Sequence, residues 1–171
     1  YTLGSGFMPS ADHAGGLRQL MDQRVTIGEI VLPHGAMDAA LVDSSAALLR
    51  EAAARGIPIR HVGAGDSFTG DRVSMRVLWP GSHTYPGRDA NHFSLTMLWR
   101  VDGMSILTTG DLSAEYDQYA AHPAQVLKVA HHGSRDSTSD VFLSAVSPQI
   151  ALITSSDTHA ERAAAVTRKL E

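Results

Sequence analysis

The sequence contains no cysteine, which excludes disulfide bonds and every metal site that uses thiolate ligands. Any metal ion must therefore be held by histidine, aspartate, glutamate or backbone oxygen. Aromatic residues make up only 6% of the chain, so leucine, valine, isoleucine, alanine and methionine must fill the core. The 43% hydrophobic content of the 171 residues suits one domain with a core of its own.

Long apolar runs and basic runs are also missing. No stretch approaches the roughly 20 consecutive apolar residues of a transmembrane helix, so we expect no membrane insertion by this chain. With 14 Lys and Arg against 18 Asp and Glu, the formal charge is −4, and a broad cationic surface for nucleic acid is not expected. A polyanion could still be held at one metal centre, because a bound divalent ion dominates its local field.

Apolar spacing and capping residues predict the helices, and short apolar runs ending at Gly or Pro predict the strands. We predict helices over residues 14–23, 44–55, 112–121, 139–146 and from 160 onward, with Ser44 and Ser113 as N-caps. We predict strands over residues 26–32, 58–62, 71–79, 93–100, 104–109, 125–130 and 150–154, with 81–90 as a loop. Asp102-Gly103 is a favoured hairpin turn. Strands and helices alternate in the second half, which indicates an α/β fold, and residues 1–171 read as a single domain.

Chemically active residues follow two of the predicted strands. Thr109-Gly110-Asp111 ends one apolar run, and Lys128-Val129-Ala130-His131-His132-Gly133-Ser134 ends another. Carboxylates and imidazoles bind divalent ions, and imidazole also transfers protons near neutral pH. We therefore predict a hydrolytic metal site at these strand ends. The alternative role for Asp111 is a helix cap, and the alternative for the two histidines is a surface pair.

Two further segments fit the same site. Asp12 and His13 lie on a predicted turn before a Gly-Gly pair, and both side chains can reach one divalent ion. His159 follows the last predicted strand. The alternatives are an N-terminal helix cap for Asp12 and an ordinary loop position for His159.

In this order the motifs resemble the metallo-β-lactamase fold, and within it the C-terminal hydrolase domain of ComEC-type DNA-internalisation proteins and their stand-alone relatives. The pattern is Asp-His-x-Gly-Gly, Asn-x-x-Ser-Leu, Thr-Gly-Asp and Lys-Val-x-His-His-Gly-Ser, followed by a late His. The matching positions are Asp12 to Gly16, Asn91 to Leu95, Thr109 to Asp111, Lys128 to Ser134, and His159. Val77-Leu78-Trp79-Pro80 is also similar to this branch.

The resemblance implies a four-layer αββα sandwich with one or two divalent ions, Zn²⁺ or Mn²⁺, between the sheet edges. It implies that a metal-activated hydroxide hydrolyses a phosphodiester, which in this branch is single-stranded DNA. The implied metal ligands are Asp12, His13, Asp111 and His159, with His131 as the rival to His159. The implied catalytic residues are His131, His132 and Ser134, and further metal or substrate ligands are Asn91, His92 and Lys128.

The chain departs from the family pattern at its first motif, which is His-x-His-x-Asp-His or His-x-Asp-x-Asp-His. Met8 and Ser10 occupy the first two ligand positions; a thioether is a poor ligand for Zn²⁺ or Mn²⁺ and a hydroxyl is a weak one. One of the two metal sites should therefore be impaired. A degenerate non-catalytic module and a small-molecule ester or phosphoester hydrolase stay open as alternatives.

Little sequence precedes Met8, and the chain stops soon after the helix that follows His159. We therefore expect a fold shortened at the N-terminus and incomplete at both ends. Such a domain would leave a sheet edge to be covered. A homodimer would cover it, and so would the remainder of a larger membrane protein, such as one of the bacterial inner membrane.

Overall fold

The computed structural model describes residues 11–23, 25–34, 43–81, 90–155 and 167, without the side chains of 11–15, 43–45 and 90. The helices are α1 (Ala11–Asp22), α2 (Asp43–Ala54), α3 (Ala114–Asp117) and α4 (Asp140–Val146). The strands are β1 (Ile30–Pro33), β2 (Ile59–Val62), β3 (Ser67–Thr69), β4 (Val73–Trp79), β5 (Thr96–Val101), β6 (Met104–Thr108), β7 (Val126–Lys128) and β8 (Ile150–Leu152). Short 3-10 helices cover Ala90–Phe93, Gln118–Ala120 and Ala130–Gly133.

The described strands form two sheets. Strands β1 and β2 are parallel, and β3 to β8 form a six-stranded sheet in sequence order. Strands β3 to β6 are antiparallel neighbours, whereas β6, β7 and β8 run parallel. The predicted hairpin turn is confirmed, with positive φ at Asp102 (51°) and Gly103 (86°), as a two-residue turn of this kind requires.

Helices α1 and α2 cover one face of the small sheet. Leu17 and Leu48 pack against Ile30 and Leu32, whose side chains share a face because they are two residues apart in β1. Val31, between them, points the opposite way. It packs with inward-facing residues of the larger sheet, so the two sheets lie face to face; these residues are Met75, Val77, Leu95 and Met97.

Helix α4 covers the other face of the larger sheet. Phe142 and Val146 pack against a cluster of strand and strand-end residues, namely Leu98, Leu107, Leu127 and Val129. Asp117 anchors the start of this helix, since its carboxylate accepts hydrogen bonds from the Ser139 N–H (2.6 Å) and hydroxyl (2.8 Å). The layers therefore run helix, sheet, sheet, helix, as the resemblance to the metallo-β-lactamase fold implied.

Several predicted bounds are wrong. Helix α1 begins at Ala11 and not at residue 14, so Asp12 and His13 lie in its first turn rather than on a turn before it. Helix α2 begins at Asp43, which places the predicted cap Ser44 inside the helix. Strand β1 begins only at Ile30, because its partner β2 begins at Ile59 in that register.

Other differences lie in the larger sheet. The predicted strand over 93–100 begins at Thr96, after the 3-10 helix that includes Phe93. The predicted helix over 112–121 is α-helical only from Ala114 to Asp117. Strand β3 was not predicted, because it has only three residues, Ser67 to Thr69, and a single apolar residue gives no strand pattern. The predicted helix from 160 onward lies outside the described residues except for position 167.

Core packing on α4 can be tested with two neighbouring residues of that helix. Phe142 is 1% exposed, whereas Val141 is 66% exposed. We expect Phe142→Ala to lower the free energy of unfolding by about 3–5 kcal/mol, because it removes buried contacts and leaves a cavity. Val141→Ala should change it by less than about 0.5 kcal/mol. Urea unfolding monitored by circular dichroism measures both values, and equal losses would contradict the assigned packing.

Candidate active site

Three strand ends meet at one edge of the larger sheet. Strands β6, β7 and β8 are parallel, with Thr108 paired to Lys128 and Lys128 paired to Leu152. The segments that follow them therefore leave the sheet on the same side, which is where ligands bind in α/β folds. These segments carry Asp111 after β6 and His131 and His132 after β7.

Asp111 is a buried carboxylate, with 5% of its surface exposed. Its backbone N–H donates to Ser94 Oγ at 3.0 Å. The preceding Gly110 has a φ of 54°, a left-handed conformation that glycine adopts without steric cost. The alternative role as a helix cap is wrong, because Ser113 occupies the N-cap of α3, although its side chain makes no capping hydrogen bond.

Ser94 is a site residue that the sequence analysis did not single out. It is fully buried, and its bond to Asp111 joins the Asn-x-x-Ser-Leu and Thr-Gly-Asp motifs in space. The available signal was a hydroxyl residue flanked by Phe93 and Leu95, because a polar side chain inside an apolar run must find a partner when it is buried.

Hydrogen bonds join the β6 and β7 ends directly. The Thr109 hydroxyl donates to the Lys128 carbonyl at 2.7 Å, and the His131 N–H donates to the Gly110 carbonyl at 3.0 Å. These two bonds hold the backbone of the Thr-Gly-Asp segment against the backbone of the histidine segment. The positions of Asp111 and His131 are therefore coupled.

The histidine segment has an unusual backbone. His131 (φ 48°), His132 (φ 54°) and Gly133 (φ 83°) are three consecutive residues in the left-handed region. Each non-glycine residue there costs about 1–2 kcal/mol, and such conformations cluster at functional sites. The Ser137 hydroxyl lies 3.0 Å from the Ala130 carbonyl and 2.8 Å from the Ser134 carbonyl, which stabilises the turn.

Both histidine side chains of this segment are half-buried. His132 Nδ1 lies 2.7 Å from the backbone carbonyl of Thr154, just beyond β8. Because a carbonyl only accepts, Nδ1 carries the proton, and in the neutral ring Nε2 is then the basic nitrogen. The third strand end therefore sets the orientation and tautomer of His132.

Lys128 adds a positive charge beside Asp111. Its Nζ donates to the Val129 carbonyl at 2.9 Å. Burial lowers the pKa of this ammonium from its ordinary value, while the negative charge of Asp111 opposes that shift. The two side chains are thus close enough to interact electrostatically.

Asn91 and His92 lie on the neighbouring 3-10 helix, and both are half-buried. Trp79 Nε1 donates to the His92 carbonyl, which explains the tryptophan in the Val-Leu-Trp-Pro segment. The His92 ring meets Tyr116 edge-on at 4.6 Å between centroids, and its Nε2 lies 3.9 Å from the Glu115 carboxylate. These contacts attach the 3-10 helix to α3.

The side chains of the other predicted metal ligands lie outside the part of the chain that the structure describes. The side chains of Asp12 and His13 are outside the described part, and Met8, Ser10 and His159 lie outside the described residues altogether. Among the side chains that are described, no three His, Asp or Glu residues converge as a cation site. The donor types at the strand ends, one buried carboxylate and two imidazoles, are those that Zn²⁺ and Mn²⁺ accept.

Comparison with known families agrees with this architecture. Residues 11–155 match the model of the metallo-β-lactamase superfamily. Since that match covers most of the 171 residues, the chain belongs to the metallo-β-lactamase superfamily.

Its curated relatives are ComEC-type competence proteins, as the motifs predicted. The chain is 30% identical over 147 residues to ComE operon protein 3 of Bacillus subtilis, covering 83% of this chain and 18% of that protein. It is 36% identical over 95 residues to Recombination protein 2 of Haemophilus influenzae (54% and 12%) and 37% over 91 residues to Competence protein ComA of Neisseria gonorrhoeae (50% and 13%). The chain thus spans less than a fifth of the length of each relative.

Within the described residues, none of the helices has the length and hydropathy needed to cross a bilayer.

The Ser94–Asp111 bond predicts a measurable stability loss. Ser94→Ala removes the acceptor of a buried N–H, so the free energy of unfolding should fall by about 1–3 kcal/mol. Ser144→Ala, at an exposed position of α4, should stay within about 0.5 kcal/mol of the parent protein. Urea titration of both variants tests this, and a neutral Ser94→Ala would show that another acceptor replaces the hydroxyl.

The left-handed turn predicts a penalty for a side chain at Gly133. Gly133→Ala should cost about 1–2 kcal/mol of folding free energy, because φ at this position is 83°. Gly28 is the matched control, since it lacks a positive φ and a Cβ there would meet nothing within 4 Å. Thermal unfolding compares the two variants, and a larger loss for Gly28→Ala would contradict the backbone geometry.

Proposed function

We propose that this domain is a metal-dependent hydrolase that cleaves phosphodiesters, with DNA as the substrate class. The observation that carries the proposal is that three parallel strands end at one edge of the sheet, where hydrogen bonds join the segments that carry Asp111, His131 and His132. Family membership supports it, because the motifs that build this edge are those on which the resemblance rests.

The proposed ligands are Asp12, His13, Asp111 and either His159 or His131, for one or two ions of Zn²⁺ or Mn²⁺. Their oxygen and nitrogen donors suit such ions. A divalent ion bound there supplies Lewis-acid chemistry and lowers the pKa of water toward neutrality. Asp111 is buried and fixed through its backbone, so it needs little reordering to act as a ligand.

The chain's own residues would handle the substrate and its protons. His132, held by Thr154 with Nε2 as its basic nitrogen, exchanges a proton with the reacting oxygens. The Lys128 ammonium attracts the phosphate to this edge of the sheet. Ser134, at the end of the same turn, is a weaker hydrogen-bonding group for a phosphate oxygen, and Asn91 and His92 are further candidates on the adjacent 3-10 helix.

The choice of DNA rests on the relatives. Two are named as competence proteins or products of a competence operon, and one is named as a recombination protein. We propose further that the DNA is single-stranded. The expected homodimer, or membership of a larger membrane protein, stays a prediction.

Replacing Asp111 tests the mechanism. We expect Asp111→Asn to reduce Mn²⁺- or Zn²⁺-dependent cleavage of single-stranded DNA at least about 100-fold, because it removes a ligand charge while keeping the side-chain shape. Asp136→Asn is the control, on the connection between β7 and α4, since that residue is exposed and its carboxylate makes none of the described contacts. Equal cleavage rates for the two variants would contradict the assignment of Asp111.

A second candidate function, a non-catalytic module that keeps the fold, is favoured by Met8 and Ser10 at two ligand positions of the family motif. Elemental analysis of the purified parent protein and of Asp111→Asn distinguishes the hydrolase from the non-catalytic module. About one or more ions per chain in the parent protein, lost in Asp111→Asn, supports the hydrolase. No metal after soaking in Zn²⁺ and Mn²⁺ supports the module, and cleavage of nitrophenyl esters but not of DNA points to a small-molecule hydrolase.

A further inference from the structure

The outer face of the larger sheet is divided into two halves. Helix α4 packs on the half built around β6 and β7, through Leu107 and Leu127. On the half formed by β3, β4 and β5, the described residues line an open groove of about 210 Å³. This groove lies on the face turned away from the small sheet.

Polar side chains converge on the groove because of the strand register. Ser67 pairs with Arg76, Thr69 pairs with Ser74, and Ser74 pairs with Arg100. Paired residues in antiparallel strands point to the same face, so these five side chains lie together. Arg76 and Arg100 are diagonal neighbours, a relation that typically places the Cα atoms about 7–8 Å apart. His122 lines the same groove from the connection before β7.

The two arginines lack acidic partners in the described part of the chain. Neither the Arg76 nor the Arg100 side chain takes part in any described ion pair or hydrogen bond, and both are exposed. By contrast, the nearby Arg72 forms a two-pronged pair with Asp102 at 2.9 and 2.7 Å. In a chain with a net charge of −4, two adjacent guanidinium groups with no acidic partner among the described residues mark a local positive site.

We propose that this groove binds phosphate groups of a nucleic-acid strand, at a place separate from the strand-end site. Guanidinium groups match phosphate oxygens in a two-pronged geometry, and hydroxyls supply further donors. The volume suits a sugar-phosphate unit and is smaller than pockets for larger organic ligands.

The groove is remote from Asp111 along the sheet. Arg100 pairs with Ser105 beside the Asp102-Gly103 turn, at the opposite end of β5 and β6 from Thr96 and Thr108. The groove would therefore hold a strand without taking part in its cleavage. With two cationic contacts it is compatible with the expectation from the sequence that the chain has no broad cationic surface. The choice of ligand rests on the proposed function, whereas the groove itself does not.

The test measures binding of a fluorescein-labelled oligothymidylate to the 171-residue chain by anisotropy, in EDTA so that no metal contributes. For single-stranded nucleic acid each phosphate contact adds about 0.7 to the slope of log Kd against log salt concentration. We expect Arg76→Ser and Arg100→Ser each to lower that slope by about 0.7, and the double variant by about 1.4. Both residues are exposed, so the melting temperature should not change.

Arg50→Ser is the matched control, because Arg50 is an exposed arginine of α2 without a described partner, and the charge change is the same. It should leave the slope unchanged. The proposal is overturned if the parent chain does not bind the oligonucleotide, if the double variant keeps the parent slope, or if Arg50→Ser lowers it equally. It is also overturned if polyglutamate, and not the oligonucleotide, binds through Arg76 and Arg100.

Cleavage measured separately with Mn²⁺ distinguishes this proposal from the proposed function. Arginine-dependent binding without cleavage would leave the groove in place and remove the hydrolase. If DNA is cleaved and the double variant keeps the parent slope of log Kd against log salt concentration, the hydrolase is retained and the groove proposal is removed.

Discussion

The parallel alignment of β6, β7 and β8 is the constraint on which the candidate site depends. It brings three chain segments to one sheet edge, and two hydrogen bonds, Thr109 to Lys128 and His131 to Gly110, then hold the segments after β6 and β7 together. These bonds fix the backbone that carries the carboxylate and the imidazoles. Rigid backbone support of this kind is what a functional site requires.

The buried layers provide that rigidity. Alternation along β1 sends Ile30 and Leu32 to the helices and Val31 to the other sheet, so one short strand belongs to two cores. On the outer face of the larger sheet, α4 packs on the apolar half around β6 and β7, whereas the half formed by β3, β4 and β5 carries polar side chains. The helical covering therefore decides which part of the sheet faces outward and can receive a ligand.

Strongly patterned features of the sequence were predictable. The Asp102-Gly103 hairpin, the position of α4 and the placement of Asp111 and the histidines after strands all follow from local rules of turns, caps and periodicity. Strand β3 was not predictable in this way, because a segment of only three residues, two of them polar, acquires strand geometry by pairing with β4. The role of Ser94 was not predictable for a similar reason, since its hydroxyl accepts from the Asp111 N–H, seventeen residues away in the sequence.

By itself the sequence determined the family, the layered α/β plan and the chemical types that reach the strand ends, because short motifs carry that information locally. Only the tertiary structure decided which strands are parallel, which carbonyl orients His132, and that Arg76 and Arg100 stand side by side with no acidic partner among the described residues. Those properties depend on contacts between segments far apart along the chain. Their energies come from burial and from hydrogen bonds formed only once the layers have packed, so no local pattern encodes them.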